Sequence, residues 1–180
     1  MLLTDRPKIA RSDAHGILAA SAADPVDHAA VALWLLVGMH PLDVERLKLA
    51  DWPAEGEQRR LRAGPAENSR VIAIAPSAAA ALDVLASIGG TASALLPGMT
   101  TMRQMVLMQE LTEGLGWRAS ALDLRRAAIA EVLDDGTPVE HVARYFGARK
   151  AKVGSLAVPR PGYDVAIAQV LQCVFASASE

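Results

Sequence analysis

The sequence predicts a mainly α-helical domain with a small antiparallel β-sheet, an α+β fold spanning residues 1–180 as one domain. Alanine-rich apolar segments recur along the chain, and only 4% of the residues are aromatic, which favours an aliphatic helical core. Residues 59–74 alone carry β-strand patterning, with a turn at Gly64-Pro65. A length of 180 residues, 52% of them hydrophobic, is sufficient for one such core.

The first half of the chain predicts three helices. Asp24-Pro25 separates the first helix, which starts at residue 12, from an almost wholly apolar helix over residues 26–39. Pro41 suits the first turn of a helix and opens the third, over residues 41–50. The apolar spacing of the third helix directs three side chains to the core, Val44, Leu47 and Leu49.

Two strands, near residues 59–62 and 70–74, are expected to pair next. Pro76 then opens a helix that ends at Ile88, and a further helix covers residues 101–115. One face of this later helix carries methionines, which favours a role as core filler over a cofactor site. These methionines are Met102, Met105 and Met108.

The last part of the chain predicts three more helices. Ser120 caps a helix over residues 122–133, with Asp123 as the acid of a capping box, and Thr137 caps a short helix to Phe146. A rigid connector at 159–162 precedes an apolar helix over residues 163–176. Its apolar positions cover most of its circumference, so it should bury more than one side. It either packs into its own domain or, within the segment 163–180, is exchanged with another copy.

Charge and composition restrict the classes of function. The net charge of -2 argues against a strongly basic nucleic-acid binder. Residues 118–160 nevertheless hold eight basic and five acidic residues, a local excess of three positive charges. The single Cys173 excludes an internal disulfide and fits a reducing cytoplasm. Charged residues interrupt the N-terminus, and the apolar run 29–39 is too short to span a bilayer, so no leader and no membrane contact is expected.

Two segments carry a distinctive residue pattern. The first reads Gly38-Met39-His40-Pro41-Leu42-Asp43, followed by Leu47 and Asp51. The second reads Leu122-Asp123-Leu124-Arg125-Arg126 on one helix, then a turn at Gly136, and ends in Phe146-Gly147-Ala148. With the strand at 70–74, these motifs resemble the catalytic domain of the tyrosine recombinases, the phage-integrase family. The resemblance covers roughly residues 9–158 and implies that family's fold, without the core-binding domain that precedes it in the family.

The resemblance also implies a chemistry that this sequence has largely lost. The family forms a phosphotyrosine with a tyrosine nucleophile, clamps the phosphate with two arginines, and moves protons with a lysine and histidines. Arg125 matches the second arginine of the family, whereas His40 occupies the position of the first. The other degenerate positions are Leu122, Arg126 and Ala148 for the histidines, Ala157 for the tyrosine, and Pro65 or Asn68 for the lysine.

The resemblance therefore implies a catalytically degenerate homologue, related to DNA recombination or integration, that binds DNA or a partner without cleavage. Tyr163 is a weak alternative nucleophile. The alternative function is a protein–protein interaction module on the same fold with no DNA contact. The partner would be DNA, bound weakly and with little specificity, another recombinase, or a second copy of the chain. No cofactor is expected, and the spacing of His15, His28 and His141 predicts no metal site. The expected DNA contacts are Arg125, Arg126, Arg149, Lys150 and Lys152.

Overall fold

A computed structural model describes residues 8–53, 60–65, 69–88, 93–147 and 161–176. Its α-helices are α1 (Arg11–Ala20), α2 (Pro25–Leu35), α3 (Pro41–Glu45), α4 (Pro76–Ile88), α5 (Thr101–Leu111), α6 (Ala121–Asp134), α7 (Val139–Phe146) and α8 (Tyr163–Phe175). Its strands are β1 (Arg60–Ala63) and β2 (Arg70–Ala73). The predicted fold class, mainly α with a small antiparallel sheet, is therefore confirmed. None of the helices among these residues has the length and apolar character needed to cross a membrane.

Helix α2 forms the centre of the core and packs against α1, α4 and α6. The Asp24 carboxylate caps it by accepting the backbone N–H groups of Val26 and Asp27, at 2.8 and 3.0 Å. The helix ends at Leu35, so the prediction of a helix to residue 39 was wrong. Gly38 takes a left-handed conformation (φ 63°), and the Met39 N–H returns to the Leu33 carbonyl at 2.9 Å. Because this turn is buried, its residues remain apolar and match the helical pattern.

Helix α3 is half as long as the sequence predicts. It ends at Glu45, and residues Leu49–Asp51 form a separate 3₁₀ turn. The backbone between them pairs with a distant segment, since Leu95 N–H donates to Leu47 and Leu49 N–H donates to Ser93. These long-range bonds, of 2.9 and 3.0 Å, replace the bonds of a continued helix. Val44 and Leu47 are buried as expected, and Leu49 is partly buried.

The two strands pair antiparallel, with Arg60 opposite Ala73 and Ala63 opposite Arg70. Leu61 and Ile72 are fully buried on the face that joins the core. This register follows from period-two alternation, since alternate side chains of a strand point to the same face. It leaves Arg70 at the first position of β2, close to the end of α7.

Helix α5 corrects the expectation of a buried methionine face. Met108 is 2% exposed, but Met102 and Met105 are 67% and 63% exposed. The buried face instead carries Gln104, Leu107 and Met108, which follow the three-and-four spacing of a single helical stripe. Met102 and Met105 lie outside that stripe and form an exposed apolar surface.

The capping box that begins α6 is confirmed, with the Ser120 N–H donating to the Asp123 carboxylate at 2.9 Å. Helix α7 begins at Val139 with Pro138, and not the predicted Thr137, at its cap position. The Pro138 carbonyl accepts the N–H groups of His141 and Val142, at 2.9 and 3.1 Å, so the helical hydrogen bonds start at Pro138 and the cap lies one residue later than predicted.

Helix α8 packs against α6, α7 and β2 of the same chain. Ile167, Leu171 and Phe175 are buried, but the opposite face is exposed, so the apolar surface is less completely covered than the sequence predicts. Asp164 accepts hydrogen bonds from Arg60 and from the Ala73 N–H, at 2.5 and 3.0 Å, which joins the start of α8 to both strands. Exchange of the segment 163–180 between copies stays a prediction.

Candidate functional site

Arg125 joins three parts of the fold at the C-terminal end of α7. Its Nη2 donates to the Phe146 carbonyl at 2.8 Å, and its Nη1 donates to the Gly38 carbonyl. The first carbonyl is left without an intrahelical partner at the end of α7, and the second lies in the turn after α2. Arg125 therefore holds α6, α7 and this turn together, in addition to any role toward a ligand.

Arg70 reaches the same end of α7 from strand β2. Its Nε donates to the Tyr145 carbonyl at 2.7 Å, one residue before the carbonyl that Arg125 contacts. The guanidinium fills the space beside Gly147, where an added Cβ would lie 2.6 Å from Nη1. Arg70 Nη2 is buried and has no hydrogen-bond partner among the residues that the structure describes. A buried cationic donor without a partner is costly, which marks this group for a functional explanation.

The sequence analysis missed Arg70 as a site residue and assigned it only to a strand. The local signal was weak, because one arginine at the edge of an apolar strand is common on protein surfaces. Only the approach of β2 to the end of α7 makes this position significant.

Arg70 lies close enough to Arg125 to affect the pKa of Arg125. Burial lowers the pKa of Arg70. Burial, and then the charge of Arg70, lower the pKa of Arg125 to about 10, while Asp43 opposes both shifts. Neither arginine forms an ion pair with a carboxylate of the described residues. The C-terminus of a helix carries only about half a negative charge, so the cluster retains an excess of positive charge.

His40 lies beside this pair and caps α3, with Nδ1 accepting the Leu42 N–H at 3.3 Å. The side chain is half-buried. Burial and then the neighbouring Arg125 charge lower its pKa, against the opposing effect of Asp43. The structure thus brings His40 and Arg125 together, as the resemblance implies, with the imidazole favoured in its neutral form.

The His40 environment leads to a titration prediction. We expect the His40 imidazole to titrate below the ordinary value of about 6.5, and Arg125→Gln to raise its pKa without restoring it, because burial is the larger cause. Because folding lowers the pKa of His40, the neutral imidazole contributes stability that is fully present above about pH 6.5. This contribution is lost as the pH falls through the pKa of the folded state. NMR titration of the imidazole signals measures the shift.

Arg126→Gln is the matched control, because Arg126 is exposed and pairs with Asp123 at 2.8 Å. It should change the His40 titration much less. Equal changes in the two variants would contradict the close approach of Arg125 and His40.

The remaining predicted site residues have different environments. Leu122 is 37% exposed and offers no group for proton transfer. The Arg126 guanidinium donates to the Asp123 carboxylate of its own helix. Arg125 instead donates to the carbonyls of Gly38 and Phe146, so these hydrogen bonds of the two arginines go to different partners. The other predicted positions, Ala148, Arg149, Lys150, Lys152 and Ala157, lie outside the described residues.

Neither tyrosine has a lowered pKa. Tyr145 is fully buried, its hydroxyl donates to the Ala73 carbonyl at 3.0 Å, and burial raises its pKa far above the usual range. Tyr163 is half-buried, and burial again raises its pKa, despite a hydrogen bond with Arg144. Its ring lies 5.4 Å from the His141 ring. A nucleophilic tyrosine is activated by a lowered pKa or by a neighbouring base. Both tyrosines show the opposite pKa shift, and the His141 imidazole lies near Tyr163.

In the described part of the chain, no three histidine, cysteine or acidic side chains are grouped so that they could hold a metal ion.

The fold is similar to that of a solved recombinase. The crystal structure of XerA recombinase superimposes with a TM-score of 0.68 at 16% sequence identity, covering 95% of this chain. The chain spans 60% of the length of XerA recombinase. No protein-family model matches the sequence, and no curated protein does. The chain therefore has a recombinase-like fold, in agreement with the fold that the resemblance implies.

Proposed function

We propose that this chain is a catalytically degenerate tyrosine-recombinase homologue that acts in DNA recombination or integration, in the cytoplasm, without cleaving DNA. It binds a DNA duplex weakly and with little sequence preference, or joins a partner recombinase or a second copy of itself. The observation that carries the proposal is the pair of half-buried guanidinium groups, Arg70 and Arg125, which meet at the end of α7 in a recombinase-like fold without a carboxylate ion pair among the described residues.

The absence of cleavage is supported by what surrounds that pair. Strand cleavage needs a nucleophile and groups that move protons. His40 favours its neutral form, Leu122 offers no proton, and the pKa of Tyr163 is raised. Losing one acid or base group costs about 10²–10⁴-fold in rate, and several are replaced in this sequence.

DNA contact is supported by the same pair of charges. Arginine recognises phosphate through a fork of N–H donors, and partial burial strengthens each bond. Such contacts position a duplex but carry little sequence information. The five candidate contacts named above, Arg125, Arg126, Arg149, Lys150 and Lys152, would surround this position in the family's layout.

A protein–protein module is the second candidate, and one surface favours it. Met102 and Met105 of α5 and Leu42 of α3 are 67%, 63% and 45% exposed, on two helices that are in contact. Exposed methionines suit adaptable partner surfaces. The net charge of -2 also gives no general attraction for DNA.

A salt titration of duplex binding separates the two candidates. We expect the full chain to retain a labelled duplex at low salt and to lose most of it at physiological salt, with a slope of roughly 0.9 per phosphate contact. Arg149→Glu with Lys150→Glu should weaken binding and reduce the slope. Fluorescence anisotropy at several salt concentrations measures both. No duplex binding at low salt would reject the DNA proposal in favour of the interaction module.

Two controls complete this test. Arg46→Glu with Lys48→Glu makes the same charge change at exposed positions near α3, so it reports the effect of net charge alone. If both double variants behave alike, residues 149 and 150 form an ordinary solvated surface. A nicked suicide duplex, followed by denaturing electrophoresis, should give no covalent adduct, and a Tyr163-dependent adduct would overturn the proposal.

A further inference from the structure

We propose that Arg70 and Arg125 together form an oxyanion site for a phosphate group, in which Arg70 of β2 supplies the second guanidinium that α3 lacks at His40. The inference deepens the proposed function, and it rests on that function only in so far as the phosphate belongs to DNA. It assigns a ligand-binding role to a residue that the sequence pattern places merely in a strand.

The position of the two side chains supports a shared site. They donate to the carbonyl oxygens of successive residues, Tyr145 and Phe146, at 2.7 and 2.8 Å. Both therefore meet at one end of one helix, although they come from a strand and from another helix. Two guanidinium groups fixed by backbone bonds are preorganised, which reduces the entropy lost when a ligand binds.

The balance of charge and hydrogen bonds points to an anion. The pair carries two positive charges, and the end of α7 offers about half a negative charge. Asp43 acts on both arginines only through its charge, without an ion pair. Arg70 Nη2 still has no acceptor in the described part of the chain. A phosphate oxygen would supply both the missing charge and the missing acceptor.

Part of this cluster is open to solvent. Gly147 is exposed and has no side chain, and the guanidinium fills the space beside it. Arg125 and His40 are half-buried and so keep part of their surface in contact with solvent. A phosphate approaching from that side would meet Arg125 first, and Arg70 would complete the site by turning its buried Nη2 toward the phosphate.

An NMR titration of the arginine side chains tests the site in the unaltered protein. Inorganic phosphate and a short DNA duplex are added separately, at constant ionic strength, while the Nε–H signals of Arg70 and Arg125 are followed. We expect both signals to shift together and to saturate with one binding curve for phosphate. A shift of Arg125 alone, or of neither, would overturn the proposal.

Conservative variants add a second readout. Arg70→Lys keeps the charge but loses the fork, so it should weaken phosphate binding at least about tenfold. Arg62→Lys, the same change at an exposed arginine on β1, should leave phosphate binding unchanged. Thermal melting of each variant separates loss of the site from loss of the fold. If Arg70→Lys and the wild type bind phosphate equally well, Arg70 only caps the end of α7 and does not bind the ligand.

The two ligands distinguish the sources of the phosphate. If phosphate and duplex both shift Arg70, the site and the DNA function are supported together. If phosphate shifts it and the duplex does not bind, the oxyanion site stands and the DNA function fails. If the duplex binds and neither ligand moves the Arg70 signal, the DNA function stands and this inference fails.

Discussion

Replacing Gly38 with alanine should lower the free energy of unfolding by about 2–5 kcal/mol. Gly38 has φ 63°, which costs an L-residue roughly 1–2 kcal/mol. An added Cβ would overlap Cε1 of the fully buried Phe146 ring, so that ring must move, and overpacking of a core costs about 1–3 kcal/mol. Moving Phe146 also disturbs the carbonyl that Arg125 contacts. Urea unfolding followed by circular dichroism measures the loss.

Gly136→Ala is the matched control for the backbone contribution. Gly136 also has a positive φ, of 86°, but an added Cβ would meet no atom within 4 Å. Gly136→Ala should therefore lower the free energy of unfolding only by the cost of placing an alanine at a positive φ. Phe146→Leu combined with Gly38→Ala should recover part of the loss, because contacting residues are not additive. Equal losses at Gly38 and Gly136 would mean that Phe146 does not pack against Gly38.

Deleting residues 163–180 should unfold or aggregate the protein. Ile167, Leu171 and Phe175 are at most 1% exposed, and each such side chain contributes about 1.5–3 kcal/mol by its burial. Their sum approaches the whole stability of a typical domain, about 5–15 kcal/mol. Arg60 and the Ala73 N–H would also lose Asp164 as their acceptor. Circular dichroism and light scattering of the truncated chain measure the outcome.

A second measurement on the full chain distinguishes self-packing from exchange. If α8 packs into its own domain, the melting temperature should not depend on protein concentration, whereas an exchanged dimer melts higher when it is more concentrated. Leu171→Ala should cost about 2–5 kcal/mol. The control Val165→Ala, at a position 39% exposed, should cost much less. A truncated chain that stays folded and changes only from dimer to monomer would establish exchange.

The sequence by itself determined the fold class and most of the helix starts. Asp24, Pro76 and Ser120 each mark a helix start through chemistry within a few residues, and the structure has helices there. The hairpin is equally local, because the alternation of its strands and the turn between them lie within 14 residues, Arg60 to Ala73. Such signals act along the chain and need no distant partner, which is why they can be predicted from the sequence.

The ends of α2 and α3 were decided by tertiary structure. The turn at Gly38 is buried, so its apolar residues extend the helical pattern of α2 beyond the end of the helix. Helix α3 stops because the backbone at Leu47 and Leu49 pairs with residues 93–95. Likewise, Met102 and Met105 have the composition of a core face, and only the orientation of α5 places them in solvent.

In the candidate site too, some residues can be predicted from the sequence and one depends on the tertiary structure. The sequence provides Arg125 and His40 within two recognisable motifs, and the resemblance is enough to expect them near each other. Arg70 belongs to neither motif, and its partner carbonyl is 75 residues away, at Tyr145. Only the packing of β2 against the end of α7 brings its charge to Arg125. Long-range electrostatics of this kind depends on distance and burial in the folded chain, and neither quantity is encoded in a local residue pattern.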